Sequence, residues 1–323
     1  RINFHDKSLV DFFTLVPPRV FSSAMNQISA TIDTSLAFLI STSSVVVFKF
    51  SDQLQSFPVN LFGASIALAA LPTLSHESED TKYEKFKETF LTSLHQMMFL
   101  VIPASIILLV LRVPVVRLVY GASKFPWEAT VATAYTVAFF SLSIFSQSAV
   151  YLITRAFYAL RDTKTPLKVT FFTIPFDVLL SLYFVKILGW GVWSIAFSYS
   201  ISSIFDFVLM LFLLHRKIGG FSFDSLISPF IKISYAAIMM GISLYVPMKI
   251  LEKYIFDTTH TLPLLLLTFI AGLFGFISYL LFTKICNVKE VDMLYSMLGK
   301  LGLKSSVATA TEINSSPSDA MQE

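Results

Sequence analysis

The sequence predicts an all-α membrane protein, a polytopic bundle of about eight transmembrane helices. Three observations carry this. Apolar residues make up 55% of the chain, charged residues only 14%, and there are 33 phenylalanines. A soluble domain carries about 25% charged residues, and one this rich in Phe would expose large apolar patches. Apolar runs also recur at the length a bilayer demands, and lysine and arginine are distributed unevenly between alternate loops.

A spanning helix needs about 20 mostly apolar residues. Eight candidates fit, at roughly 15–40, 44–74, 90–111, 130–158, 168–188, 191–215, 226–249 and 261–284. The last six follow from hydropathy alone. The first two are longer and more polar, and Pro58 and Gly63 interrupt the second. Broken, polar helices in a membrane face a cavity or other protein. After Lys284, Val288, Val291, Leu294, Leu298 and Leu301 recur at helical spacing beside Lys289, Lys300 and Lys304, so 285–304 is expected as an interfacial helix. The Ser/Thr/Ala-rich stretch 305–323 is expected to be disordered.

Charge sets the orientation. One side of this layout receives 17 of the 24 lysines and arginines, including Lys82, Lys85, Lys87, Arg161, Lys164, Arg216 and Lys217; the other receives seven. Positive residues accumulate on the cytoplasmic side, so both termini are expected there, which requires an even number of spans.

Composition narrows the chemistry. A net charge of +3 argues against a nucleic-acid partner, and one cysteine, Cys286, excludes an internal disulfide and a cysteine-based zinc site. The five histidines have no metal-ligand spacing. No nucleophile elbow, phosphate loop or paired-carboxylate motif is present. Neither cofactor nor metal is expected. An enzyme is the least favoured class.

The candidate site is polar residues at helical spacing. On the first helix Arg19, Ser22, Asn26, Ser29 and Asp33 share a face; on the second Lys49, Gln53, Ser56 and Asn60 do, with Asp52 at the edge. Lys49 and Asp52 carry opposite charges one turn apart and are candidates to pair. A charge at the bilayer centre costs about 2.5–3.5 kcal/mol, so the stripes are read as walls of a shared hydrated cavity. The alternative is polar glue between helices. Asp177 and Asp206 stand alone in the fifth and sixth spans, either as cation or proton carriers or as neutral hydrogen-bonded acids. Arg155 is a candidate for lipid-phosphate contact or gating.

Three segments carry a resemblance. The first is Gln27-Ile28-Ser29 followed by Ile32-Asp33-Thr34. The second runs from Ser51-Asp52-Gln53-Leu54-Gln55-Ser56-Phe57-Pro58 through Gly63 to Leu71-Pro72-Thr73-Leu74-Ser75. The third is Phe157-Tyr158-Ala159-Leu160-Arg161-Asp162-Thr163-Lys164-Thr165-Pro166. Together they resemble the MurJ/MviN family of lipid II flippases. The resemblance implies helices seven to fourteen of a fourteen-helix fold: a cytoplasmic lead-in at 1–14, the second six-helix lobe at 15–215 and two additional helices at 216–284. It implies transport of an undecaprenyl-diphosphate-linked peptidoglycan precursor across the bacterial cytoplasmic membrane, with membrane lipids and a missing N-terminal lobe as partners. The chain opens on Arg1, and a fragment with an upstream start is expected. The resemblance also places a cavity arginine where this chain has Gln53. The same fold serves flippases for other lipid-linked oligosaccharides and cation-coupled exporters, and a transport-inactive scaffold would share it.

Overall fold

The computed structural model describes residues 7–80, 82–121, 126–254 and 261–291. Every regular element among them is helical: α1 (Lys7–Ile40), α2 (Thr42–Pro58), α3 (Ser65–Glu77), α4 (Glu84–Val110), α5 (Arg112–Tyr120), α6 (Trp127–Ser141), α7 (Ile144–Ala159), α8 (Lys164–Leu182), α9 (Trp193–Lys217), α10 (Phe223–Tyr254) and α11 (Thr261–Ile285). Helix α1 starts at Lys7, so the expected lead-in is already partly helical.

Among the described residues, six continuous helices are long and apolar enough to cross a membrane, and the bent pair α6–α7 makes a seventh. The eighth expected span is α1, long enough at 34 residues but not among those apolar enough. Its polar stripe is the reason. Large apolar side chains point outward, as Phe38, Phe57, Phe172, Leu179 and Phe269 do, the pattern expected where lipid is the solvent.

Two breaks shape the bundle. Between α2 and α3 the backbone opens into a π-helical stretch, Val59–Ala64. Pro58 lies at its start, where a residue without an N–H cannot continue the ladder. Gly63 lies within it, and a Cβ there would sit 2.7 Å from Ser148 Cβ and 2.9 Å from Ser148 Cα. Only glycine lets α7 come this close. The second break bends α6 against α7 by 46°. No proline or glycine marks it. Backbone N–H groups of Leu142 and Ser143 donate to Phe139 and Phe140 instead of continuing the helix.

Helices α1, α2, α6, α7, α8 and α9 form one cluster: α1 packs on α2 and α8, α8 on α9, α9 on α6 and α7, and α2–α3 on α6 and α7. Helix α4 backs this cluster and carries α10, which pairs with α11. The core between α4, α7 and α10 holds Phe86, Phe90, Leu94, Met97, Phe157 and Ala236, all fully buried. The Tyr279 hydroxyl donates to the Phe99 carbonyl at 2.7 Å and ties α11 to α4.

The turn between α7 and α8 explains one of the sequence motifs. Arg161 sits at φ 55°, the left-handed region. Asp162 then accepts from the Lys164 and Thr165 amides at 3.1 and 3.0 Å and from the Thr165 hydroxyl at 2.7 Å, starting α8. It also pairs with Lys217 at the end of α9. Burial pushes the Asp162 carboxyl upward, but hydrogen bonds from Lys217 and Thr165 outweigh it and hold the carboxyl below the usual range. Nearby, the Ser78 hydroxyl donates to the Ala159 carbonyl at 2.9 Å, fastening α3 to α7.

Of the expected interfacial helix, residues 292–304 lie outside the described residues, as does the tail 305–323. The chain turns at Asn287 (φ 51°), and Val288 and Val291 pack into the protein core. These two positions face protein where lipid was expected.

Candidate functional site

Helices α1, α2, α6, α7, α8 and α9 line a cavity of about 550 Å³. The α1 stripe faces it as the period requires, with Ser22, Asn26, Ser29 and Asp33 among the lining residues. Helix α2 contributes Lys49 and Asp52, α7 contributes Arg155, α8 contributes Asp177, and α9 contributes Asp206. Seven of the ten candidate residues therefore meet in one place. Asp177 and Asp206, isolated along the chain, share the cavity with Asp33.

Gln53, Ser56 and Asn60 do not line it; Gln53 and Asn60 are exposed and Ser56 is half-buried. The cavity lies on the Asp52 side of Lys49, away from Gln53. Beyond Pro58, the wider π-helical turn breaks the spacing that would have carried the stripe to Asn60.

The expected pairing of Lys49 with Asp52 does not form. Neither residue takes part in an ion pair among the described residues. Asp52 instead accepts from Gln55 Nε2 at 3.0 Å. Gln147 Nε2 donates to Gln55 Oε1 at 2.8 Å and to Ser143 Oγ at 2.9 Å, and the Tyr199 hydroxyl donates to Gln147 Oε1 at 3.2 Å. This chain of amides runs from α2 across the α6–α7 bend to α9 and orients the Asp52 carboxylate. Sequence reasoning missed Gln55, Gln147 and Tyr199. The unusual signal was two glutamines in apolar helices, where an amide needs a partner.

Two carboxylates stand out. Asp33 is 3% exposed and Asp177 4% exposed, and Oδ1 of each has no hydrogen-bond partner. Asp33 interacts electrostatically with Asp177, Asp52 and Lys49. Four acids and two cations, Lys49 and Arg155, line the cavity. At its rim Tyr158 takes the Arg19 guanidinium at 4.0 Å and that of Arg155 at 5.8 Å from its ring centroid. Arg155 thus reaches the cavity with a second guanidinium beside it.

The glue reading holds between other helices. The Ser51 hydroxyl reaches the Thr133 carbonyl at 3.2 Å, joining α2 to α6, and Ser200 reaches the Phe139 carbonyl at 2.7 Å, joining α9 to α6. No group of three or more metal-ligating side chains occurs among the described residues.

Known proteins share this architecture. The profile of the family described as "Lipid II flippase MurJ" matches residues 1–267. A probable lipid II flippase MurJ of Haemophilus influenzae is 28% identical over 260 residues, covering 76% of this chain and 49% of that protein. Its counterpart in Thermotoga maritima is 28% identical over 288 residues, covering 88% of this chain and 55% of that protein. A solved lipid II flippase MurJ in an inward closed conformation superposes with a TM-score of 0.69 at 22% identity, over 88% of this chain and 56% of that one. The chain spans about half the length of the curated relatives it matches. With a family profile matched across most of its length, and a helix order shared with a solved member, the chain belongs to the lipid II flippase MurJ family.

Proposed function

We propose that this chain is the second half of a flippase that carries a lipid-linked peptidoglycan precursor across the bacterial cytoplasmic membrane. The observation that carries the reading is the charged cavity of about 550 Å³ inside an apolar bundle. A bulky polar headgroup cannot cross hydrocarbon unaided. A polar cavity that opens to one side and then the other removes that barrier without covalent chemistry. In this reading Asn26, Asp33, Lys49 and Asp52 form one wall, and Gln53, Ser56 and Asn60 lie on an exposed face turned to an N-terminal lobe. Residues 15–215 are the second lobe, and 216–284 the two added helices.

Asp33, Asp177 and Asp206 take the role of cation or proton carriers. A buried carboxylate oxygen without a donor, as on Asp33 and Asp177, is expensive unless the group is neutralised. A bound monovalent cation or a proton supplies that neutralisation, and its release alters the cost of keeping α1 and α8 together. This favours a flippase driven by an ion gradient.

The test is growth. The natural-length protein, expressed in a bacterium depleted of its own flippase, is expected to restore growth. Residues 1–323 alone are expected to move no lipid in vesicles, since alternating access needs a second lobe for this one to move against. Failure of the natural-length protein to restore growth, with normal membrane levels, overturns the assignment.

Orientation is tested separately. With Cys286 replaced by Ser, cysteine at position 253 is expected to react with an impermeant maleimide added outside intact cells. Cysteines at positions 85 and 217 are expected to stay unlabelled. Outside labelling at 85 or 217 overturns cytoplasmic termini.

A further inference from the structure

A second cavity, of about 490 Å³, lies at the opposite end of the bundle from the Asp162–Lys217 turn, where α4 ends, α5 begins, and α10 and α11 meet. It shares no lining residue with the first cavity. Its floor is apolar, with Leu264 and Leu267 almost fully buried. Its mouth is cationic: Arg112, Arg117 and Lys249 all line it. These are three of the seven lysines and arginines on the side of the bundle that is poor in them. The only acid among the described residues that line it, Glu252, is held by Lys249 at 2.7 Å. The two arginines have no carboxylate partner among the described residues. Arg112 spends one Nη1 donor on the Leu109 carbonyl at 2.8 Å. Each guanidinium faces an aromatic ring, Arg112 that of Tyr135 at 6.0 Å and Arg117 that of Trp127 at 5.7 Å.

We propose that this cavity binds the phosphate headgroup of an anionic phospholipid from the leaflet at that end. Guanidinium groups match a phosphate with paired donors, and stacking on an aromatic ring holds them without neutralising them. Trp127 and Tyr245, both half or more exposed, sit at the mouth, as aromatic side chains do at headgroup depth. The exposed rings of Trp127 and Tyr245 select a lipid over a free anion, because the glycerol and upper acyl chain cover apolar ring surface that a soluble phosphate leaves wet. The site is separate from the transport cavity, so it stands or falls independently of the proposed substrate.

Native mass spectrometry of the purified protein, titrated with phosphatidylglycerol or phosphatidylcholine, tests it. One phosphatidylglycerol is expected to bind about tenfold or more tightly than phosphatidylcholine, from two surface guanidinium groups. Arg112→Gln with Arg117→Gln is expected to erase that preference. Arg117→Gln alone, which leaves the Arg112 bond to α4 intact, is expected to lose about half of it on the logarithmic scale. Unchanged phosphatidylcholine retention reports an intact fold. Arg216→Gln with Lys232→Gln, at the other end, is expected to keep the preference. The proposal is overturned if the Arg117→Gln variant binds phosphatidylglycerol as the parent does. It is equally overturned if glycerol 1-phosphate or inorganic phosphate displaces the lipid at matched concentration, which would make the site one for free anions.

Discussion

Lys49→Ala, made in the natural-length protein, is expected to abolish growth of a flippase-depleted host. Lys49 and Arg155 are the two cations that line a cavity otherwise populated by four acids. A diphosphate entering it meets strong repulsion unless a cation receives it. Losing one charge-assisted hydrogen bond removes about 1.5–3 kcal/mol, or roughly 10- to 150-fold in binding. Asp52 does not occupy Lys49, because Gln55 holds that carboxylate; the amine is free to swing toward substrate. The competing possibility is that Lys49 merely snorkels from the start of α2 toward the interface. Lys49→Arg is expected to keep growth. Gln53→Arg added to Lys49→Ala is expected not to restore it, since position 53 does not line the cavity. Growth of Lys49→Ala at the parent rate makes Lys49 a bystander.

Gly63→Ala is expected to cost about 1–3 kcal/mol through overpacking. The added Cβ lands 2.7 Å from Ser148 Cβ and Oγ and 2.9 Å from its Cα, and backbone cannot rotate away as a side-chain tip can. The melting temperature of the purified protein should fall by about 2–4 °C for each kcal/mol lost. Ser148→Gly removes two of the three clashing atoms, so the double variant is expected to recover most of the loss. If Gly63→Ala melts with the parent, α7 does not approach the π-helical stretch this closely.

Much of this was legible in the sequence, and the limits have physical causes. The α1 stripe was readable because an uninterrupted helix keeps its 3.6-residue period from Ser22 to Asp33. Pro58 and Gly63 announced the break after α2, though not its π geometry. The stripe on α2 was misjudged by one edge: Lys49 serves two neighbouring faces, and local spacing cannot say which one meets a cavity. The bend between α6 and α7 left no trace, since serine and leucine at 142–143 are compatible with a straight helix. The Gln55–Gln147 bond joins residues 92 apart, and Asp33 shares its cavity with Asp177, which lies still further along the chain. Such pairings depend on which helices become neighbours, and no local pattern encodes that.

The polarity of α1 also bears on how the protein is made. Ser22, Ser29 and Asp33 are buried in a helix that packs on α8, which starts only at Lys164. During synthesis more than a hundred residues must follow before that shelter exists. On translocon-insertion scales a single central aspartate costs about 2.5–3.5 kcal/mol, too much for a helix of such modest hydropathy to absorb alone. The nascent α1 must therefore wait in the insertion machinery, or at the membrane surface, until α8 arrives. Biogenesis of this bundle is then retroactive: a late helix completes the integration of an early one, and truncation before α8 should strand α1 outside the bilayer.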